Sequence, residues 1–262
     1  MKVLIKLGGT LLDEPDHRQR LAAEIGQVVS AGIQSEGNQV IVVHGGGKQM
    51  TRFLTERGIE SRFINGLRVT TDEVLDAVLK VFAGTVNHEL VAAFCAVGVP
   101  AVGLTGMDGF LTEAEQLDPQ LGRVGNVIRS DPALVNLLVQ HGYLPVVACV
   151  AGDRQGRFYN VNADQMAVAC AVSFEAQQLL FLTDVEGVRD STGQVCPSLS
   201  LAQCEELIAS GVASGGMRAK LDAAMSALNR GVPRVVIAPG AQPGLIQRLI
   251  AGETVGTELV MR

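Results

Sequence analysis

A chain of 262 residues, 47% hydrophobic and 18% charged, holds enough apolar material for one large α/β domain or two closely joined lobes, which excludes a disordered or low-complexity protein. Its net charge of −6 comes without any run of Lys or Arg, which argues against a nucleic-acid partner. The longer apolar runs are broken by Gly, Pro or charge, so none reads as a membrane span, and the first strand begins so close to Met1 that no signal peptide is expected.

Val3 to Leu7 is an apolar run interrupted by Lys6 and followed by Gly8-Gly9, the pattern of a buried strand and a tight turn. A lysine inside such a strand carries a desolvation cost unless an anion meets it. An edge position with the ammonium reaching water accounts for Lys6 equally well. The two glycines tip the balance, because they let a ligand approach the backbone where open α/β sheets bind ligands, beyond the carboxyl ends of the strands.

His17 to Ser30 places Leu21, Ile25, Val28 and Val29 on one helical face. Val40 to Val43 is a second buried strand, ending in His44-Gly45-Gly46-Gly47. Gln49 to Arg57 is helical, with Gly58 as its stop. Three glycines before a helix expose backbone N–H groups to an anion, and three in a row exceed what a turn requires. Two familiar phosphate motifs fail here. Val42 stands where a Walker A loop needs its first Gly, and Met50 where a GxGxxG needs its last.

Asn65-Gly66-Leu67-Arg68-Val69-Thr70 sets an arginine beside a turn, able to grip a carboxylate with two prongs or to sit idle at the surface. Asp72 to Val97 is a long helical pattern with a break expected near Gly84. Ala101 to Leu104 is a short strand, and Gly106 to Gly125 reads as an exposed hairpin. Pro132 to His141 is a helix and Leu144 to Val150 a strand. Asn160-Val161-Asn162-Ala163-Asp164 brings two amides and a carboxylate to a helix start, where Asn162 or Asp164 can act as a cap.

Helices follow at Asp164 to Val172, Leu201 to Ser210, Lys220 to Asn229 and Leu245 to Ile250, with strands at Leu179 to Thr183 and Arg234 to Ala238. Thr183-Asp184-Val185-Glu186-Gly187-Val188 follows a strand in the manner of a nucleotide loop. Gly215-Gly216-Met217-Arg218-Ala219-Lys220 leads into a helix with basic residues in its first turn. Helix N-termini disfavour cations, and a bound polyphosphate would offset that penalty. The alternation predicts an α/β protein with a largely parallel sheet covered on both faces.

His17, His44, His88 and His141 form no metal spacing, and no nucleophile motif occurs. Cys95, Cys149, Cys170, Cys196 and Cys204 include no CxxC pair and are odd in number, so they read as reduced thiols of a cytoplasmic protein.

Taken in order, Lys6-Leu7-Gly8-Gly9, His44 to Gly47, Asn65 to Thr70, Gly142 to Val147, Asn160 to Gln165, Thr183 to Val188 and Gly216 to Lys220 resemble the amino acid kinase family, within it the branch that phosphorylates N-acetylglutamate in arginine biosynthesis. Each motif is weak alone; the ordered set spans nearly the whole chain. The resemblance implies a three-layer αβα sandwich around a mainly parallel sheet, one domain over 1–262. Its lobe 1–174 would bind acetylglutamate and dimerise, and its lobe 175–262 would bind ATP. It implies that Lys6 and Lys220 stabilise the phosphoryl group in flight and that Asp164 positions both lysines. It implies further that Gly46 and Gly47 offer N–H groups to the substrate, which Arg68 and Asn160 hold by its α-carboxylate end. Gly8, Gly9, Asp184, Gly187, Gly211, Gly216 and Met217 would line the nucleotide site. Magnesium would arrive on ATP, with no metal ligand from the protein.

The chemistry of the residues agrees. Phosphoryl transfer needs positioning and charge stabilisation more than covalent catalysis, and a carboxylate acceptor is already ionised at neutral pH. Arginine-inhibited relatives carry an extra N-terminal helix that links dimers. Only five residues precede Lys6, so an arginine-insensitive homodimer is expected. The rival reading is a kinase of a related acylated amino acid, such as carrier-linked 2-aminoadipate. A non-catalytic protein on the same fold is disfavoured by the intact lysines, and a dinucleotide-dependent oxidoreductase by the failed GxGxxG. A nitrogen-regulatory partner is left open.

Overall fold

The computed structural model describes residues 1–34 and 37–261. Strand β1 (Lys2–Leu7) is followed by a 3-10 turn at Gly9–Leu12, helix α1 (Pro15–Gln34), strand β2 (Gln39–His44) and helix α2 (Gly47–Thr55). A small hairpin, β3 (Phe63–Ile64) and β4 (Leu67–Arg68), precedes α3 (Asp72–Val78), a π-helical segment (Leu79–Val86) and α4 (Asn87–Ala96). Then come β5 (Ala101–Thr105), β6 (Thr112–Gln116), β7 (Gly125–Ser130), α5 (Ala133–Gln140), β8 (Leu144–Ala148), β9 (Val150–Gly152) and β10 (Phe158–Asn160). The remainder is α6 (Ala163–Phe174), β11 (Gln178–Thr183), β12 (Ser198–Ser200), α7 (Leu201–Ala209), α8 (Gly215–Asn229), β13 (Arg234–Pro239), α9 (Leu245–Ile250) and β14 (Thr257–Val260).

Eight strands form the central sheet in the order β12-β14-β13-β11-β1-β2-β8-β5, parallel throughout except where β13 meets β14. Helix α6 packs on β1, β2 and β11, α5 on β2 and β8, and α8 against α6 and β13. On the other face α1 packs on β2 between α4 and α9, and α4 covers β5 and β8. Helices on both faces explain why the inner strands are apolar along their whole length: Leu4, Ile5, Val42, Val43, Val146, Leu180 and Val236 are all fully buried. The fold is therefore the three-layer αβα sandwich expected from the sequence.

The period-two alternation of β1 sets the chemistry. Lys2, Leu4 and Lys6 share one face. Lys2 Nζ lies 4.7 Å from the centre of the Phe174 ring of α6, so that face is the α6 side. Val3, Ile5 and Leu7 serve the opposite layer.

Two expectations are corrected. The break near Gly84 does not occur; the helix runs from Asp72 to Ala96, wound more loosely as a π-helix over Leu79–Val86. By length and composition alone this helix would also pass for a membrane span. It buries Val74, Val78, Phe82, Val86, Leu90 and Phe94 in the core, as a core helix of a folded domain does. The hairpin expected in Gly106–Gly125 extends further, to Ser130, and is not a free surface feature: its arms are β6 and β7, in a four-stranded sheet ordered β10-β9-β6-β7, with Thr112 and Ala114 buried. Of the strands missed from sequence, β3, β4, β9, β10, β12 and β14 have two to four residues each, too few to display a period; β7 has six, but half of them are exposed, polar or apolar without alternation.

Candidate active site

The carboxyl ends of β1, β2, β8 and β11 open on one edge of the sheet, and Lys6, His44 and Thr183 stand there. Asn162 caps α6, accepting hydrogen bonds from Asp164 N at 2.9 Å and Gln165 N at 3.2 Å. The cap is thus Asn162, and the Asp164 side chain in the first helical turn is left for other work. It faces β1: Lys6 Nζ lies 2.7 Å from Oδ1, and Lys220 Nζ donates to Oδ2 at 3.2 Å.

Lys6 and Asp164 are buried and Lys220 is largely so, with side-chain exposures of 7%, 8% and 15%. Burial alone would raise the Asp164 pKa, but the ammonium charges of Lys6 and then Lys220 outweigh it and hold the carboxyl below its usual range. The Lys220 pKa is lowered, first by burial and then by repulsion from Lys6; attraction to Asp164 and Asp184 offsets only part. One carboxylate between two ammonium groups leaves a net positive charge.

The placement of Lys220 differs from the sequence reading. Helix α8 begins at Gly215, so Arg218 lies in its first turn and Lys220 lies beyond it. The helix-dipole argument therefore bears on Arg218, whereas Lys220 is fixed by its ion pair.

Beside this triad lies a cavity of about 170 Å³ whose walls include Gly45, Gly46, Gly47, Arg68, Asn160 and Cys149. Gly46 is glycine for a steric reason: a Cβ there would come within 2.8 Å of the Phe82 ring. Arg68 is buried, its Nη2 donating to Thr51 Oγ1 at 2.8 Å and to Gly47 O at 3.2 Å, and its Nη1 to Ser61 Oγ. Its guanidinium lies 4.7 Å from the centre of the Phe63 ring. Asn160 Nδ2 donates to Thr70 Oγ1 at 3.0 Å. The surface-arginine alternative for Arg68 is thereby excluded.

Next to Lys6, Gly8 donates its N–H to Leu182 O at 3.0 Å, and a Cβ on it would lie 3.4 Å from Lys6 Nζ. Gly9 starts the 3-10 turn. Asp184 is exposed beyond β11 and accepts from Thr183 Oγ1 at 3.2 Å. Gly187 and Met217 line a mostly apolar depression of about 450 Å³ together with Val185 and Val212. Gly211 has a reason of its own: with φ 77° it stops α7. Gly216 sits in the first turn of α8, with nothing near an added Cβ. A larger cavity, about 680 Å³, lies at the opposite end of the strands around Met1, Gln39 and Tyr143, remote from these groups.

Sequence reasoning missed the pairs that hold these residues: Thr51 and Ser61 on Arg68, Phe82 over Gly46, and Asn87 beside His44. An asparagine inside an apolar helix was the one available signal. Among the described residues no three His, Cys, Asp or Glu side chains converge as a metal site would require.

The model of the amino acid kinase family matches residues 1–239. This chain belongs to the amino acid kinase family. Within that family it is 61% identical over 260 residues to the acetylglutamate kinase of Solibacter usitatus (strain Ellin6076), covering 99% of both chains. It is 43% identical to the acetylglutamate kinase of Koribacter versatilis (strain Ellin345), again over 99% of each. Among solved structures, N-acetylglutamate synthase from Neisseria gonorrhoeae, complexed with coenzyme A and N-acetyl-glutamate, superposes with a TM-score of 0.86 at 27% identity. That match covers all of this chain but 59% of that one. An isopentenyl phosphate kinase shares the fold, with a TM-score of 0.66 at 23% identity.

Proposed function

We infer that this chain transfers the γ-phosphoryl group of ATP to the side-chain carboxylate of N-acetyl-L-glutamate, giving N-acetyl-L-glutamyl 5-phosphate and ADP, a step of arginine biosynthesis. The observation that carries the reading is the Lys6–Asp164–Lys220 triad, in a chain 61% identical to an acetylglutamate kinase. The relatives give no support to a carrier-linked substrate.

In this reading the acyl amino acid occupies the cavity, held by Arg68 and Asn160, with its side-chain carboxylate toward Gly46 and Gly47. One carboxylate oxygen attacks the γ-phosphorus, the bond to the β,γ-bridging oxygen breaks, and ADP leaves with that electron pair. The carboxylate has no proton to lose, so no general base is needed. Lys6 and Lys220 supply positive charge to the equatorial oxygens of the moving group, and Asp164 keeps the two ammonium groups from separating. The apolar depression at Val185 and Met217 suits a nucleotide base. Magnesium, carried on the phosphate oxygens of ATP, would supply charge neutralisation. The lobes 1–174 and 175–262, meeting where β1 pairs β11, would hold acyl amino acid and ATP respectively. A cytoplasmic homodimer belongs to the same reading; β5 ends the sheet on an open edge.

A coupled assay of ADP release tests this. N-acetylglutamate is expected to support turnover, with free glutamate, aspartate and 2-aminoadipate far behind. Equal turnover without any acyl amino acid, or a preference for aminoadipate, would overturn it.

A further inference from the structure

His44, fully buried at the end of β2, and Asn87, buried at the start of α4, form a pair that the phosphoryl-transfer reading leaves unused. Asn87 Nδ2 lies 2.9 Å from Val146 O and 2.9 Å from His44 Nε2. A backbone carbonyl only accepts, so the amide must turn its NH₂ toward Val146. The second hydrogen of that NH₂ then points at His44 Nε2, which must accept. The imidazole is left with its proton on Nδ1, and Nδ1–H donates to Gly45 O at 2.7 Å. The lone pairs and hydrogens admit one arrangement.

The consequence falls on the next group. In a planar trans peptide the carbonyl of residue 45 and the N–H of residue 46 point in opposite directions. Anchoring Gly45 O on His44 therefore aims Gly46 N–H away from the imidazole. Gly46 walls the cavity, and its N–H finds no protein acceptor among the described residues. The surroundings brace the arrangement. A Cβ on Gly103 of β5 would overlap Asn87 Oδ1, and the π-helical segment that leads into Asn87 also brings Phe82 onto Gly46. Burial presses the imidazole toward its neutral form, its pKa lowered to about 4, which keeps Nε2 free to accept.

We propose that His44 and Asn87 are positioning residues that lock the Gly45–Gly46 peptide, so that Gly46 N–H is aimed in advance at the acceptor oxygen during transfer. The proposal rests on the reading of the reaction above. A donor misdirected by a fraction of an ångström misplaces the attacking oxygen on its way to the transition state more than it weakens substrate binding.

The decisive comparison is His44→Gln against His44→Asn, with folding of each checked by thermal unfolding. An asparagine amide nitrogen reaches the place of Nδ1; a glutamine amide reaches that of Nε2. His44→Gln is expected to lose kcat roughly 10- to 100-fold with KM for N-acetylglutamate changed less than about threefold. His44→Asn is expected to recover most of that loss. Equal kcat in the two variants, or a loss confined to KM, overturns the proposal. Should either variant fail to fold, Asn87→Ser reads the same relay with nitrogen-15 histidine spectra. The Nδ1–H tautomer is expected to lose population as kcat falls. An unchanged tautomer, or a changed tautomer with full kcat, overturns it. An inactive parent chain refutes the assigned reaction instead, and the tautomer spectra then stand as the separate test of the relay.

Discussion

Lys6 Nζ, on the first strand of the chain, lies 2.7 Å from Oδ1 of Asp164, in the first turn of a helix that begins far downstream at Ala163. Lys220 completes the group on the second carboxylate oxygen. The two ammonium groups are thus held by one counter-charge, and each affects the other through it.

Replacing either lysine by alanine is expected to lower kcat roughly 10²- to 10³-fold, the range for losing one charge-stabilising donor. Because both act on the same group, the double variant is expected to lose less than the product of the single losses. Steady-state kinetics on the double-mutant cycle decides this. Near-normal turnover in Lys6→Ala would remove it from the mechanism.

Asp164→Asn leaves two buried cations without their partner. Breaking a buried ion pair costs about 3 kcal/mol, so the urea midpoint should fall clearly. Sulfate or tripolyphosphate should restore part of it by supplying the missing negative charge. The sign of the pH effect follows from the lowered carboxyl pKa. The contribution is present above the ordinary value of 3.8 and is lost as pH falls through the folded value. An unchanged midpoint at pH 7 would contradict the buried-pair reading.

Arg68→Ala should raise KM for N-acetylglutamate by roughly tenfold or more with a smaller effect on kcat. Lysine should not rescue it, because one ammonium cannot reach Ser61, Thr51 and Gly47 O in the planar fork that holds Arg68. A rise in KM for ATP alone would reverse the assignment of the two cavities.

His44 gives the fold a second acid-sensitive element. Its pKa is lowered from 6.5 to about 4, so the unfolded chain takes up a proton that the folded chain refuses. Stability is therefore present above pH 6.5 and is lost as pH falls toward 4, by roughly 3 kcal/mol at most. Urea unfolding of the parent and of His44→Asn at pH 7 and pH 4 measures the difference. A parent that loses no more stability than the variant would disprove it.

The thiols should separate cleanly in a disulfide-exchange titration at pH 8. Cys95 is exposed and should react at once. Burial pushes Cys149 and Cys170 up to about 12 and Cys204 to about 11, so these three should react only on unfolding. Rapid native labelling of Cys149 would mean that the floor of the cavity opens.

The α/β class, the order of the long elements and the lysine in the first strand were all legible in the sequence. Each is a local property: an apolar run, a helical stripe, a charge where hydrophobicity prevails. Gly46 and Gly47 announced a loop in the same way, because consecutive glycines mark backbone that must be approached closely. Only the tertiary structure decided which residues face one another. Lys6, Asp164 and Lys220 come from one strand end and two helices, and no spacing rule links them. Arg68 looked like a surface residue until Thr51, Ser61 and Gly47 O surrounded it, and Asn87 had no visible reason until it met His44. Hydrogen bonds and ion pairs depend on separations of a few ångströms in space, and the chain brings those atoms together only when the sheet and its two helical layers have closed.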